Sequence, residues 1–316
     1  MMKILISDYP DVLANRDLTV EIAALKASNA QFEVEVYPFQ NQAEFIEKVR
    51  TADGLLTAFL NLDAAFFQHE LQLQCVSINA TGFDKVDLEA ARDSQVKVVP
   101  LVDYCTEDVA DHTLALLLSL NRKLKAYTQQ LEQRKIWRYK EVSAMYRLSN
   151  QTLAIIGCGK IGCAVAKRAQ AFGMKIIGYD PYKTAAELQA FGITKASLEE
   201  VQQQADIISN HAATTPTNRS FFDEQFFAGL KKQPLFLNLG RGDNVDSQAL
   251  VAALDQGLLR GAGLDVLASE KPDLANEPLL HRENVQITPH ASFYSEESLR
   301  TLQLQSVENL VRNLEG

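Results

Sequence analysis

The sequence predicts an α/β protein made of two doubly wound parallel-sheet domains, and three observations predict it. Strand-like and helix-like stretches alternate in two successive series, the pattern of parallel strands joined by helical crossovers. A length of 316 residues suits about two domains. The second series opens on a glycine-rich turn between a strand and a helix.

In the first series, Lys3–Ser7, Phe32–Tyr37, Gly54–Phe59, Cys75–Asn79 and Val96–Pro100 are short apolar or β-branched runs that read as strands. Helical patterns lie between them near 17–28, 42–51, 63–70 and 85–94. About 100 residues suffice for one small doubly wound domain. From Thr106 to Arg134 the spacing predicts one long helix. Thr106 is its N-cap, with Glu107 and Asp108 in the first turn. Leu114–Leu120 is apolar nearly all round, so this helix is read as buried, as an interdomain connector or a subunit interface. The second series starts at Gln151, with strands expected at Leu153–Ile156, Lys175–Tyr179, Asp206–Asn210, Leu235–Leu239, Ala262–Asp265 and Val285–Ile287. Beyond Ser295, apolar residues at 299, 302, 307, 310, 311 and 314 trace a helical face.

Composition narrows the class. Hydrophobic residues are 47% and charged residues 22%, which excludes a disordered or collagen-like chain. With 31 Lys+Arg against 40 Asp+Glu, the net charge is −9. That balance disfavours nucleic-acid and anionic-membrane partners, which need basic patches. The four cysteines, Cys75, Cys105, Cys158 and Cys163, sit in apolar contexts without a CxxC pair. No disulfide framework or metal site is expected, and a reducing, cytoplasmic compartment fits. The apolar run after Met1 is too short for a signal peptide, and no uncharged apolar run reaches membrane-spanning length.

The strand from Leu153 runs into Gly157-Cys158-Gly159-Lys160-Ile161-Gly162, followed by a helical stretch. In such a turn Gly157 permits the tight bend, Gly159 lets a pyrophosphate approach the backbone, and Gly162 lets helix and strand pack closely. The helix N-terminus offers free N–H groups to phosphates. The next strand ends in Asp180, 18 residues after Gly162. An acid there accepts hydrogen bonds from a ribose 2′-hydroxyl and repels a 2′-phosphate, which points to NAD as the cofactor. Lys160 reads as a phosphate ligand or as a solvated side chain.

Three further segments carry polar residues just past apolar strands: Asn238-Leu239-Gly240-Arg241-Gly242, Gly263–Glu270 and Thr288–Tyr294. In open α/β sheets, ligands bind beyond the carboxyl ends of strands. An arginine, a carboxylate and a histidine at three such ends can converge on one cleft. Singly, such an Arg reads as a surface charge and such a His as structural; the joint pattern points to a site.

These segments resemble the D-isomer-specific 2-hydroxyacid dehydrogenases. The matches are GCGKIG with Tyr179-Asp180-Pro181, the N-x-x-R-G segment with Val245-Asp246, Leu264-Asp265-Val266 followed by Glu270, and Thr288-Pro289-His290. Gly82-Phe-Asp84-Lys-Val-Asp87 and Val109-Ala-Asp-His112 are similar too, and within the family His290–Glu296 resembles D-lactate dehydrogenases and the C-terminal-binding corepressors. Departures are Lys85 for the usual Asn, Ala268-Ser269 before Glu270, and Lys271 where Pro is common. No regulatory domain is expected after residue 316, unlike the longer phosphoglycerate dehydrogenases. The resemblance implies a Rossmann nucleotide-binding domain over 101–290. It also implies a smaller flavodoxin-like substrate domain formed by 1–100 with 291–316, two hinge crossings over the active cleft, and a homodimer.

The same resemblance implies the site. Arg241, Glu270 and His290 are the expected catalytic residues. Arg241 suits a carboxylate clamp, because its planar fork can bind carboxylate and carbonyl oxygens together. His290 suits proton donation near neutral pH, oriented by Glu270. Cofactor contacts are expected from Gly157, Gly159, Lys160, Ile161, Gly162, Asp180, His211, Ala212, Thr217, Leu239, Gly240, Arg241, Asp265 and His290. Substrate contacts are expected from Thr81, Gly82, Arg241, Phe59, Tyr104 and Phe293. His112, His69 and His281 are read as structural or surface residues, and Trp137 as a packing or dimer-interface residue. The segments expected to line the pocket contain no Lys or Arg, so an unphosphorylated 2-oxo acid is expected. Alternatives are an NAD(H)-sensing regulator of the corepressor type, a glyoxylate/hydroxypyruvate or phosphoglycerate-type dehydrogenase, and a formate or phosphite dehydrogenase.

Overall fold

The computed structural model describes residues 2–14, 16–29, 31–83, 85–215 and 217–314. Asp84, in the glycine turn after residue 82, lies outside the described residues. The chain divides into two compact units, Met1–Tyr104 with Ser295–Gly316, and Cys105–Tyr294.

In the first unit the strands are β1 (Lys3–Asp8), β2 (Glu33–Pro38), β3 (Gly54–Thr57), β4 (Cys75–Ile78) and β5 (Lys97–Pro100). They form a parallel sheet in the order β2-β1-β3-β4-β5, the flavodoxin-like order, whose switch point lies between β1 and β3. Both faces are buried. Leu5, Leu55 and Val76 point into one core with Phe45 and Phe66. Ile4, Ile6 and Leu56 point into the other with Val307, Leu310 and Leu314 of the helix Glu296–Leu314. The strand expected to reach Phe59 stops at Thr57, because the N–H groups of Ala58 and Phe59 turn to the Asp8 carboxylate instead of a ladder (2.6 and 3.1 Å).

In the second unit the strands are β6 (Thr152–Ile156), β7 (Lys175–Tyr179), β8 (Thr194–Lys195), β9 (Ile207–Asn210), β10 (Leu235–Asn238), β11 (Gly261–Leu264) and β12 (Val285–Ile287). The parallel order β12-β11-β10-β9-β6-β7-β8 is that of a Rossmann sheet with one more strand, and its switch point lies between β6 and β9. One face packs on an aromatic cluster of Phe222, Phe226, Phe227 and Phe236. On the other, Leu116 and Leu120 of the helix Thr106–Asn121 lie so close to Gly263 that a Cβ there would meet both. That helix is buried, as its apolar run predicts.

The single helix expected from Thr106 to Arg134 is two, Thr106–Asn121 and Leu124–Glu132. Lys123 between them adopts a left-handed conformation, φ 56°. Tertiary anchors on each side of the break outweigh the continuous 3.6-residue period. The buried Asn121 amide donates to Tyr146 O (2.9 Å), and Lys125 Nζ donates to Arg282 O and Val285 O (2.8 and 2.7 Å). The packing reading of Trp137 fails within the chain, since the residue is 88% exposed.

A buried ion pair crosses the first unit. Arg16 Nε donates to Glu21 Oε2 (3.1 Å) and Arg16 Nη2 to Glu21 Oε1. Asn79 Nδ2 adds a bond to Oε1 (3.0 Å) and Gln303 Nε2 one to Oε2 (3.4 Å). Burial brings the Arg16 guanidinium down to about 10, so it stays charged at neutral pH. Removing one partner of such a pair strands the other charge at a cost of roughly 3–5 kcal/mol. Glu21→Gln should therefore lower the urea midpoint strongly with an unchanged denaturant slope. A midpoint within error of the wild type would contradict the assignment.

Candidate active site

The glycine turn after β6 is shaped by two packing limits and one opening. A Cβ on Gly157 (φ 84°) would lie 2.6 Å from Ala212 N, and one on Gly162 would lie 2.4 Å from Gly157 O. One on Gly159 would meet nothing within 4 Å. The middle glycine thus presents bare backbone at the start of the helix Lys160–Ala171, whose N-cap has no side-chain hydrogen bond. Lys160 is exposed and Ile161 half-buried on its first turn. At the end of β7, Asp180 Oδ2 accepts from Cys158 N and Oδ1 from Tyr182 N, both 2.9 Å. A carboxylate has about four acceptor sites, so Asp180 holds the turn and keeps capacity for a ribose hydroxyl.

Across the switch point, His211 N donates to Ile156 O (2.8 Å) and Ala212 N to the Asn210 side chain (3.1 Å). His211 Nε2 meets Ser209 Oγ (2.8 Å), while the enclosed Nδ1 and Thr214 Oγ1 have no partner among the described residues. The loop closes through Asn218, which accepts from Thr215 N (2.7 Å) and donates to Ala213 O (2.8 Å). Thr217 is exposed, with its hydroxyl 3.1 Å from that of Thr215.

Arg241, Glu270 and His290 follow the adjacent strands β10, β11 and β12 at their carboxyl ends. Before Arg241, Leu239 and Gly240 are buried. A ladder of buried asparagines sets this loop. Asn210 Nδ2 donates to Asn238 Oδ1 (2.9 Å), and Asn238 Nδ2 donates to Arg241 O (3.0 Å). Gly242 is a steric necessity, since a Cβ there would sit 1.8 Å from Leu267 O. His290 Nδ1 lies 3.0 Å from both Glu270 oxygens. An ionised carboxylate only accepts, so Nδ1 carries the hydrogen and Nε2 is left for proton transfer. The His290 ring meets Phe293 edge to face at 6.1 Å.

His290 itself has φ 51°, held by its N–H to Asp265 O (2.8 Å). The Asp265 side chain, 1% exposed, takes Ala291 N (2.9 Å), Ser292 N (3.0 Å) and Thr288 Oγ1 (2.6 Å). With its oxygens so engaged, Asp265 is a structural acceptor rather than a proton donor. Sequence reasoning read His112 as a structural or surface residue and did not foresee its partner, Thr288 Oγ1, 3.0 Å from Nε2. It passed over the asparagine ladder, whose only signal was an Asn ending each of two strands.

The remaining expected substrate residues belong to the first unit, apart from Phe293. Phe59 is half-buried after β3, with Lys85 Nζ 5.6 Å over its ring. Thr81 is exposed and Gly82 half-buried beyond β4, and Tyr104 is half-buried at the unit's end.

Residues 114–292 match the family described as "D-isomer specific 2-hydroxyacid dehydrogenase, NAD binding domain". This chain belongs to the D-isomer-specific 2-hydroxyacid dehydrogenase family. Among its relatives is a D-3-phosphoglycerate dehydrogenase of Methanocaldococcus jannaschii, 33% identical over 93% of the chain. The chain spans only 56% of that relative's length. A glyoxylate reductase of Korarchaeum cryptofilum is 32% identical over 84% of the chain and 81% of its own length. A D-lactate dehydrogenase of Aquifex aeolicus, solved with NAD and lactic acid, superposes with a TM-score of 0.84. It is 26% identical, and the match covers 97% of this chain and 93% of that one.

The family's NAD-binding domain is therefore present, and its site fits the cofactor. The open backbone at Gly159, the uncapped helix start, the acid at Asp180 and the unpartnered His211 Nδ1 are what a dinucleotide needs. His211 also bears on stability. Burial pushes its imidazole from 6.5 down to about 3, so the folded ring is neutral where the unfolded one is protonated. Stability should fall as pH drops from about 6.5 toward 3, by up to about 1.4 kcal/mol per pH unit from this group. His211→Gln should flatten that dependence in urea unfolding between pH 5 and 7; an unchanged slope would contradict it.

Proposed function

We propose that the protein is an NAD-dependent D-2-hydroxyacid dehydrogenase that interconverts an unphosphorylated 2-oxo acid and its D-2-hydroxy acid. The observation that carries this reading is the His290–Glu270 pair, with both carboxylate oxygens 3.0 Å from Nδ1. Glu270 follows β11 and His290 follows β12, one and two strands from the half-buried arginine that follows β10.

When bound, NADH supplies the hydride chemistry. The second unit holds it through Gly157, Gly159, Lys160, Ile161, Gly162, Asp180, His211, Ala212, Thr217, Leu239, Gly240, Arg241 and His290, while Asp265, expected as a contact, is buried behind the 290–292 turn that it fixes. Arg241 engages the substrate carboxylate with two parallel N–H donors, which a lysine cannot reproduce. His290 Nε2 delivers the proton to the carbonyl oxygen in reduction and takes it from the hydroxyl in oxidation. Glu270 keeps the ring oriented through Nδ1, which leaves Nε2 as the nitrogen that transfers the proton. In the first unit, the backbone at Thr81 and Gly82 offers further donors for the carboxylate, while Phe59 and Tyr104 offer apolar surface; Phe293 does so from the second unit. On this reading the first unit is the substrate domain.

Among the described residues, Lys85 Nζ lies 5.6 Å over the Phe59 ring, a cation beside a lining expected to hold none, while Arg16 is bonded to Glu21. The substrate preference is thus tested on a panel of pyruvate, 2-oxobutyrate, a bulkier apolar 2-oxo acid and phosphohydroxypyruvate. NADH oxidation should favour the unphosphorylated acids, and NADH should outperform NADPH because Asp180 opposes a 2′-phosphate. His290→Ala should lower kcat by about 10²–10⁴-fold with NADH affinity retained. Inactivity on the whole panel, or near-normal turnover of His290→Ala, would overturn the proposal.

We also propose a homodimer in the cytoplasm. Leu124, Leu131, Trp137, Tyr139 and Tyr146 form a run of exposed apolar and aromatic side chains between 124 and 146, a composition typical of interfaces. The four cysteines are buried free thiols, which supports a reducing setting. Sedimentation velocity at micromolar concentration should show a dimer that Trp137→Glu weakens; a monomeric wild type would refute it.

A further inference from the structure

His112 sits on the first half of the helix Thr106–Asn121, far in sequence from the reacting residues. Its Nε2 is 3.0 Å from Thr288 Oγ1, and Thr288 Oγ1 is 2.6 Å from Asp265 Oδ1. A threonine hydroxyl has one hydrogen. The Asp265 carboxylate accepts and cannot donate, so that hydrogen lies toward Asp265. His112 Nε2 must then be the donor to Thr288. The direction of the whole chain follows: His112 donates to Thr288, and Thr288 donates to Asp265. The same Asp265 carboxylate receives the N–H groups of Ala291 and Ser292.

We propose that His112 is a positioning residue for the proton-transfer histidine, acting through the Thr288 hydroxyl and the Asp265 carboxylate on the 290–292 turn. This deepens the proposed function and rests on His290 being its acid/base. The turn needs such support. His290 is held at φ 51°, a left-handed conformation that L-residues other than Gly adopt only where the surroundings impose it. His290 N donates to Asp265 O (2.8 Å) and Thr288 O (3.0 Å), and the Asp265 side chain holds the next two residues of the turn. Asp265 Oδ1 serves both Thr288 and Ala291, so the orientation of the hydroxyl decides how that oxygen meets the turn. His112 removes the hydroxyl's freedom by occupying its acceptor side. An error of about 1 Å in a reacting group can cost about 10²-fold in rate, so a modest loosening of the turn registers in turnover.

The test is a double-mutant cycle on the full-length enzyme with NADH and whichever 2-oxo acid it reduces best. His112→Ala and Thr288→Val should each lower kcat about tenfold or more and leave NADH affinity unchanged. Their combination should be no worse than the poorer single variant, because both cut one chain. His112→Gln, which can place an amide donor at Thr288, and Thr288→Ser should restore most of the turnover. A purely structural His112 would lower the melting temperature while kcat stayed near wild type, and that result overturns the proposal. So do multiplicative losses in the double variant, or failure of both conservative variants to rescue. Where His112→Ala yields no folded protein, the Thr288→Val and Thr288→Ser comparison carries the same decision. A wild type inactive toward every 2-oxo acid would instead sink the proposed function, a distinct outcome.

Discussion

Carboxylates that accept backbone N–H groups where parallel strands end hold this molecule's loops in place. A parallel strand leaves its last N–H and C=O groups without a ladder partner, and the connections that follow cannot pair with one another. Aspartates fill that gap in both units. Asp8 takes the N–H groups of Tyr9, Ala58 and Phe59. Asp180 takes those of Cys158 and Tyr182, and Asp265 those of Ala291 and Ser292. At the opposite, amino-terminal ends of the strands, Asp53 takes Lys3 N and Asp206 takes Thr152 N. One acceptor with several lone pairs can fix two loops at once, which a neutral side chain does less well.

Burial opposes this arrangement, and the structure answers it case by case. For Asp8 desolvation outweighs its backbone hydrogen bonds and raises its pKa, although the Arg16 charge works the other way. That guanidinium is itself desolvated, and its direct partner is Glu21. The first unit thus places two carboxylates and one guanidinium beneath the ends of β1 and β4. Apolar residues of the same volume would often be as stable. What such residues could not do is hold Ala58, Phe59 and Asn79 by directed bonds at the switch point, where ligands bind in sheets of this order.

The sequence made the glycine turn, the acid at 180 and the three strand-end segments legible because each is a local pattern with a local cause. Gly157 and Gly162 are required because a Cβ at either would lie 2.6 or 2.4 Å from neighbouring backbone, and strand-turn-helix spacing announces them. The central parallel strands were legible as apolar runs, since both their faces are buried, whereas the exposed two-residue edge strand β8 was not expected. The break at Lys123 was not, because its causes lie at Tyr146, Arg282 and Val285. The end of β3 at Thr57 was hidden in the same way, in an aspartate some fifty residues earlier. His112 read as structural or surface, but its partner was hidden because it lies 176 positions away. Periodicity carries no information about a contact of that range.

Two acids stand close to His290, and their surroundings divide the work between them. Asp265 is 1% exposed, and its oxygens are taken up by Thr288, Ala291 and Ser292. It faces the backbone of the turn and fixes where the imidazole begins. Glu270 has a side chain 52% exposed and turns both oxygens to Nδ1. It faces the ring and fixes which nitrogen carries the hydrogen. Exchanging their settings would fail on physical grounds. An exposed acid at 265 would leave the N–H groups of Ala291 and Ser292 to water, and His290 would keep only its backbone bonds to Asp265 O and Thr288 O. Orientation of the backbone and tautomer of the ring are separate requirements, and the chain meets each with a carboxylate in the environment that requirement demands.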